Sequence, residues 1–165
     1  MRSYNDLNKV YKCDNLEIDF KGLNSLDGCP EHITGDFYCY GNKLVSLIGG
    51  PQKVDNLYDC SDSNITDLVG CASHIGESLN ISNNRITSLI GIHKIIKSCA
   101  GLWFDCRKIK EGGIGILLIE QMTDIETHNY EPFEIIKSYL GTGTKGMMEC
   151  SKELKARGWD AYAKL

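Results

Sequence analysis

The stretch ITDLVGCASHIGESLNISNNR, residues 65–85, together with the Ile86 that follows it, decides the fold. Its second half contains Leu79-x-Ile81-x-x-Asn84-x-Ile86. Two apolar residues separated by one position make a short strand with a single buried face, because side chains switch face at every step. The Asn three positions on suits the bend, since its amide both donates and accepts hydrogen bonds and can turn inward to satisfy the backbone. The remaining apolar positions, Leu68 and Ile75, return the chain along the opposite side. A unit of this kind cannot bury its apolar face alone, and only a stack of them makes a continuous core.

Working outward, the same unit recurs with a 21-residue step. Leu26, Leu47, Leu68 and Leu89 keep that step, as do Gly28, Gly49, Gly70 and Gly91, and Ile33, Val54, Ile75 and Ile96. Upstream lie LNSLDGCPEHITGDFYCYGNK (23–43) and LVSLIGGPQKVDNLYDCSDSN (44–64). Downstream lies ITSLIGIHKIIKSCAGLWFDCRK (86–108), which carries two extra residues. A degenerate first coil has Leu16, Ile18 and Leu23 in register. Phe37-x-Cys39-x-x-Asn42-x-Leu44 and Tyr58-x-Cys60-x-x-Ser63-x-Ile65 are the strand-and-bend pattern with substitutions. The fold class expected is an α/β solenoid with short parallel β-strands.

The L-x-L-x-x-N-x-L core resembles that of leucine-rich-repeat proteins. Two features narrow the resemblance to small leucine-rich-repeat proteins of large tailed bacteriophages. One is the L-x-S-L-x-G-x-P-x-x-V/I unit, here Leu44, Ser46, Leu47, Gly49, Pro51 and Val54. The other is the tail IIKSYLGTGTKGMMECSKELKARGWDAYAKL (135–165), similar to a C-terminal helical element of such proteins. The paired L-P motifs of bacterial secreted effectors with similar repeat length are absent. The resemblance implies a fold and a phage setting, and no particular activity.

After Ile109 the period is lost, so residues 1–110 are expected to form the leucine-rich-repeat solenoid of about five coils and residues 111–165 a helical C-terminal cap. Glu111-Gly112-Gly113 reads as a break, and Ile114 to Met122 as a short buried helix. Pro132 suits the first turn of a second helix, with Glu131 and Glu134 near its positive end and Gly141 as its stop. Ile135, Ile136, Tyr139 and Leu140 would form its apolar face. A third helix spans about Lys145 to Arg157, presenting Met147, Met148 and Leu154, with Gly158 ending it. A structural cap over the open end of the stack is the plain reading of this region; a second binding surface is the alternative.

Chemistry is sparse. Eight cysteines lack any C-x-x-C pair, so neither a zinc site nor a small secreted disulfide framework is expected. They read as reduced thiols acting as small core hydrophobes. No apolar run follows Met1-Arg2-Ser3-Tyr4-Asn5-Asp6, so no export signal and no membrane span are expected, and the expected location is cytoplasmic. Gly141-Thr-Gly-Thr-Lys-Gly146 lacks the G-x-x-x-x-G-K-[ST] order of a phosphate loop and reads as a helix–helix connection. His32 and His74 share a repeat position two coils apart, roughly 10 Å at the strand spacing, too far to share a metal. The histidines read as exposed surface residues. No catalytic residue, metal ligand or cofactor is expected. The net charge of −4 argues against general nucleic-acid binding.

The remaining signal is a surface. If Phe37, Cys39, Tyr58, Cys60, Leu79 and Ile81 point inward, their neighbours point outward. One outward column reads Glu17, Tyr38, Asp59, Asn80 and Trp103. The next reads Asp19, Tyr40, Ser61, Ser82 and Asp105, and Asp36 adds an acid at the edge. These positions hold acids and large aromatics but no Lys or Arg. Tyr and Trp placed where no core needs them suit binding anchors, and an acidic rim favours a basic partner. A plain solvated sheet is the competing reading. The function expected is a protein–protein interaction module of a phage that binds and modulates or inhibits a host protein, such as a defence enzyme or toxin. A phage structural or assembly adaptor is the alternative, and an enzyme with a site in the cap a further one. Oligomeric state is left open.

Overall fold

A computed structural model describes residues 12–165; the expectations for Met1 to Asp6, and the start of the expected 1–110 unit, lie outside these residues. The structure is an α/β fold in which parallel strands dominate and helices are few. Six strands, Leu16–Glu17, Phe37–Tyr38, Tyr58–Asp59, Ser78–Asn80, Gly101–Trp103 and Asp124–Ile125, form one parallel sheet in sequence order. Four others, Lys12–Cys13, His32–Ile33, Lys53–Val54 and His74–Ile75, form a second. Ser88–Leu89 pairs with Glu111–Gly112.

The register follows the 21-residue step, with Leu16 opposite Phe37, Phe37 opposite Tyr58, and Tyr58 opposite Leu79. One inward column is therefore Leu16, Phe37, Tyr58, Leu79, Leu102 and Ile125. The second holds Ile18, Cys39, Cys60, Ile81 and Phe104, all buried. Leu26, Leu47, Leu68 and Leu89 close the core from the return side. Each strand spans only two or three residues, because one or two buried positions per unit suffice when the neighbours above and below supply the rest.

The Asn positions behave as the sequence suggests. Asn42 is buried; its Oδ1 accepts the Lys21 and Leu23 N–H groups, and its Nδ2 donates to the Ile18 and Cys39 carbonyls. Asn84 repeats the arrangement, accepting from Ile65 and donating to Cys60 and Ile81. Between them Ser63 is too short, and its buried hydroxyl has no partner. Close stacking also needs glycine: a Cβ on Gly70, whose φ is +87°, would lie 2.4 Å from the Ile48 nitrogen.

Two expectations about the C-terminal part need correction. Ile114 to Met122 is not a helix: only Ile114–Leu118 takes 3₁₀ geometry. The chain then straightens, Glu120 bridges to Ser98, and Asp124–Ile125 joins the six-stranded sheet. An apolar run of that length does not distinguish buried helix from buried return segment, and burial supplied the answer. The Gly112-Gly113 pair is likewise no break, since Gly112 sits opposite Leu89 in a strand pairing. The sheet thus passes the expected boundary at 110/111. The longer helices begin only with α2 (Glu131–Ser138), after the four-residue α1 (Ile92–Ile95).

α2 carries Pro132 in its first turn and buries Phe133, Ile135 and Ile136, as its pattern requires. α3 (Gly143–Ala156) starts two residues before the expected Lys145 and buries Gly146, Cys150 and Leu154. Met148, expected on its apolar face, is instead 55% exposed. An aromatic cluster locks this region down: Tyr130, Phe133, Trp159 and Tyr162 pack edge to face, and the Tyr162 hydroxyl donates to the Ile109 carbonyl. No helix among the described residues is long and apolar enough to cross a membrane.

Candidate interaction surface

Parallel pairing places Glu17, Tyr38, Asp59, Asn80 and Trp103 side by side on the outer face of the six-stranded sheet. The neighbouring column is held by the bonds Phe20 N to Tyr40 O, Gly41 N to Ser61 O and Asp62 N to Ser82 O. Columns step by about 4.8 Å per strand. The predicted residues therefore do share one face, with individual differences.

Several of the acids serve the backbone. Asp36 Oδ1 accepts the Leu57 N–H, and its Oδ2 accepts the Tyr38 hydroxyl. Asp59 Oδ1 accepts both the N–H and the hydroxyl of Ser61, and its Oδ2 accepts from Asn80 Nδ2. Asn80 Oδ1 in turn accepts the Ser82 N–H. Ser61 is consequently only 6% exposed and is withdrawn from the candidate contact set: a short side chain tethered to Asp59 cannot reach outward. Asp105 accepts the Asn83 N–H and pairs with Lys108 at 2.9 Å, so a lysine neutralises this end of a face expected to lack cations.

The aromatic residues are distributed unevenly. Tyr38 and Tyr40 meet edge to face with centroids 6.4 Å apart, and Phe20 meets Tyr40 at 5.1 Å. Phe20 is 69% exposed and sits at φ +51°. Its counterparts one, two and three units on are Gly41, Asp62 and Asn83, all with positive φ. Those residue types tolerate left-handed backbone; a phenylalanine there costs roughly 1–2 kcal/mol. Gly41 leaves room for the ring, since a Cβ on it would lie 2.4 Å from Phe20 Cε1. Strict alternation from Leu16 and Ile18 points Phe20 inward, which hid it; its place in the Gly/Asp/Asn column is the signal that exposes it.

Carboxylates surround this corner. Asp19 first, then burial, Asp59 and Glu17, push the Tyr40 hydroxyl above its usual pKa. Burial first, then Asp36, Asp59 and Glu17, do the same to Tyr38. At the far end Trp103 is half-buried, its six-membered ring lying over Gly101, where a Cβ would be 2.4 Å from Cζ3. Glu126 follows Ile125 in the last strand and extends the outer column beside Trp103. It was missed because the sheet was expected to end earlier.

Other chemistry remains thin. All eight cysteines are free and seven are buried, in keeping with core thiols. His32 and His74 stand on either side of Lys53 in register, and His32 bonds Asp55 at 2.9 Å. His32 and His93 are half-buried rather than exposed, because each packs under a neighbouring unit. Among the described residues no group of three or more metal-binding side chains converges. No family model, curated protein or solved structure matches the chain.

Proposed function

We propose that this chain is a leucine-rich-repeat-like solenoid whose outer sheet face binds another protein. The observation that carries the reading is Phe20: a large apolar ring, strained and solvent-exposed, set edge to face on Tyr40, whose hydroxyl feels Asp19, Asp59 and Glu17. A strained residue persists only where its surroundings hold it, and such outliers gather at functional sites. Exposed aromatics with an acidic surround fit a partner that presents apolar side chains within a basic surface. Following the phage resemblance, the occupant is a host protein in the host cytoplasm, and binding modulates or inhibits it.

The test is capture from host extract using the wild-type chain and a Phe20→Ala/Tyr38→Ala/Trp103→Ala variant. A stoichiometric host protein should be retained by the first and lost by the second at unchanged thermal stability. Undiminished capture by the folded variant would remove the face from the account, and a phage protein as sole partner would favour the adaptor role.

A further inference from the structure

Helix α3 carries a surface the sheet face does not explain. Lys145, Met148, Lys152 and Lys155 are all exposed, and their spacing puts them on one stripe of the helix. Met147, Met148, Lys152 and Lys155 join Ile114, Ala163 and Leu165 around a groove of about 320 Å³, with no Asp or Glu side chain in its lining. Among the described residues the three lysines form no ion pair, whereas nearby Lys137, Arg157 and Lys164 pair with Asp124, with Glu131 and Glu153, and with Glu111. Methionine is a soft surface that moulds to varied apolar side chains. Lysines that form no ion pair around such a floor call for an occupant that is both acidic and apolar.

The chain displays that complement itself. Phe20 and Tyr40, with Glu17 and Asp19, lie at the N-terminal end of the six-stranded sheet, while α3 packs at the C-terminal end, against Ile114–Leu118. We propose that the α3 groove takes the Phe20 corner of a second copy, joining chains head to tail. The contact pairs two different surfaces, so an open run of copies always leaves one of each exposed, and the assembly grows with concentration. This shares with the proposed function the premise that the sheet face binds, and differs in its occupant; a partner protein would compete with the neighbouring copy.

Sedimentation of the full chain tests it. At about 50 mM salt the average mass should climb with concentration and fall back to that of a single chain near 0.5 M, because pairs across a solvated interface are screened. Lys152→Glu/Lys155→Glu and Glu17→Lys/Asp19→Lys should each weaken association at least about tenfold. An equimolar mixture of the two variants should restore it, since the basic corner of one then meets the acidic groove of the other. Wild-type chains monomeric at every concentration and salt would overturn the proposal, as would a mixture that stays monomeric. A monomeric chain that still captures a host protein through Phe20 would overturn this inference and leave the proposed function standing.

Discussion

Ser63→Asn should stabilise the protein. Ser63 occupies the bend position that Asn42 and Asn84 fill in the neighbouring units, and its buried hydroxyl has no partner. Transposing the bonds of Asn42 and Asn84 by one unit, an Asn at 63 would accept the Leu44 N–H and donate to the Cys39 and Cys60 carbonyls. Three buried bonds at about 1 kcal/mol net each, less about 1 kcal/mol for ordering the longer side chain, leave a gain of about 2 kcal/mol. For a chain of this size that is about 4–8 °C in Tm. Urea unfolding should show a raised midpoint at unchanged slope, which separates a native-state gain from a change in the unfolded chain. A neutral or destabilising result would refute the claim that the two Asn sites and Ser63 are equivalent, and with it the register between units.

Other outcomes follow from single side chains. Tyr58→Phe should stabilise by about 1 kcal/mol, because the Tyr58 hydroxyl is buried without a partner and Phe37 already fills the same position one unit earlier; urea midpoints would show it. In native protein only Cys13 should react quickly with a thiol reagent, since burial pushes Cys29 up to about 12 and Cys99 to about 11; fast labelling of most of the eight would contradict the core packing. Asp55 is held below the usual carboxylate range by Lys53 and then His32. Its stabilisation is complete above the ordinary carboxylate pKa and fades as pH falls through the lower folded value. The stability gap between wild type and Asp55→Asn should therefore narrow from about pH 6 to about pH 3, and a gap independent of pH would rule the ion pair out.

The period of 21 exposes the sheet in the sequence because each unit spends its few apolar residues at fixed positions, so Leu47 and Leu68 carry the same information twice. Where side chains stop repeating, that signal ends, although the backbone keeps its spacing. Asp124–Ile125 joins the sheet with one apolar residue and needs only the free edge of Gly101–Trp103. Pairing propagates from strand to strand, whereas residue identity need not. The inward and outward columns were likewise legible, but not which acids the backbone would claim: Asp59 and Ser61 look alike on paper, and only the Ser61-to-Asp59 bond hides one of them.

Phe20 shows what a repeat makes readable beyond its core. Alternation alone assigns it inward, yet the column Phe20, Gly41, Asp62, Asn83 identifies a left-handed backbone position, which the φ values bear out. Three of the four residues are types that accept that conformation at little cost; the fourth costs about 1–2 kcal/mol, against roughly 0.5–1.5 kcal/mol from an edge-to-face pair with Tyr40. The folding energy therefore gains little from a phenylalanine there. Where strands paired at a 21-residue step otherwise keep one kind of residue at a position, the residue that departs from its column with little net gain in folding energy is where a role other than folding is to be sought.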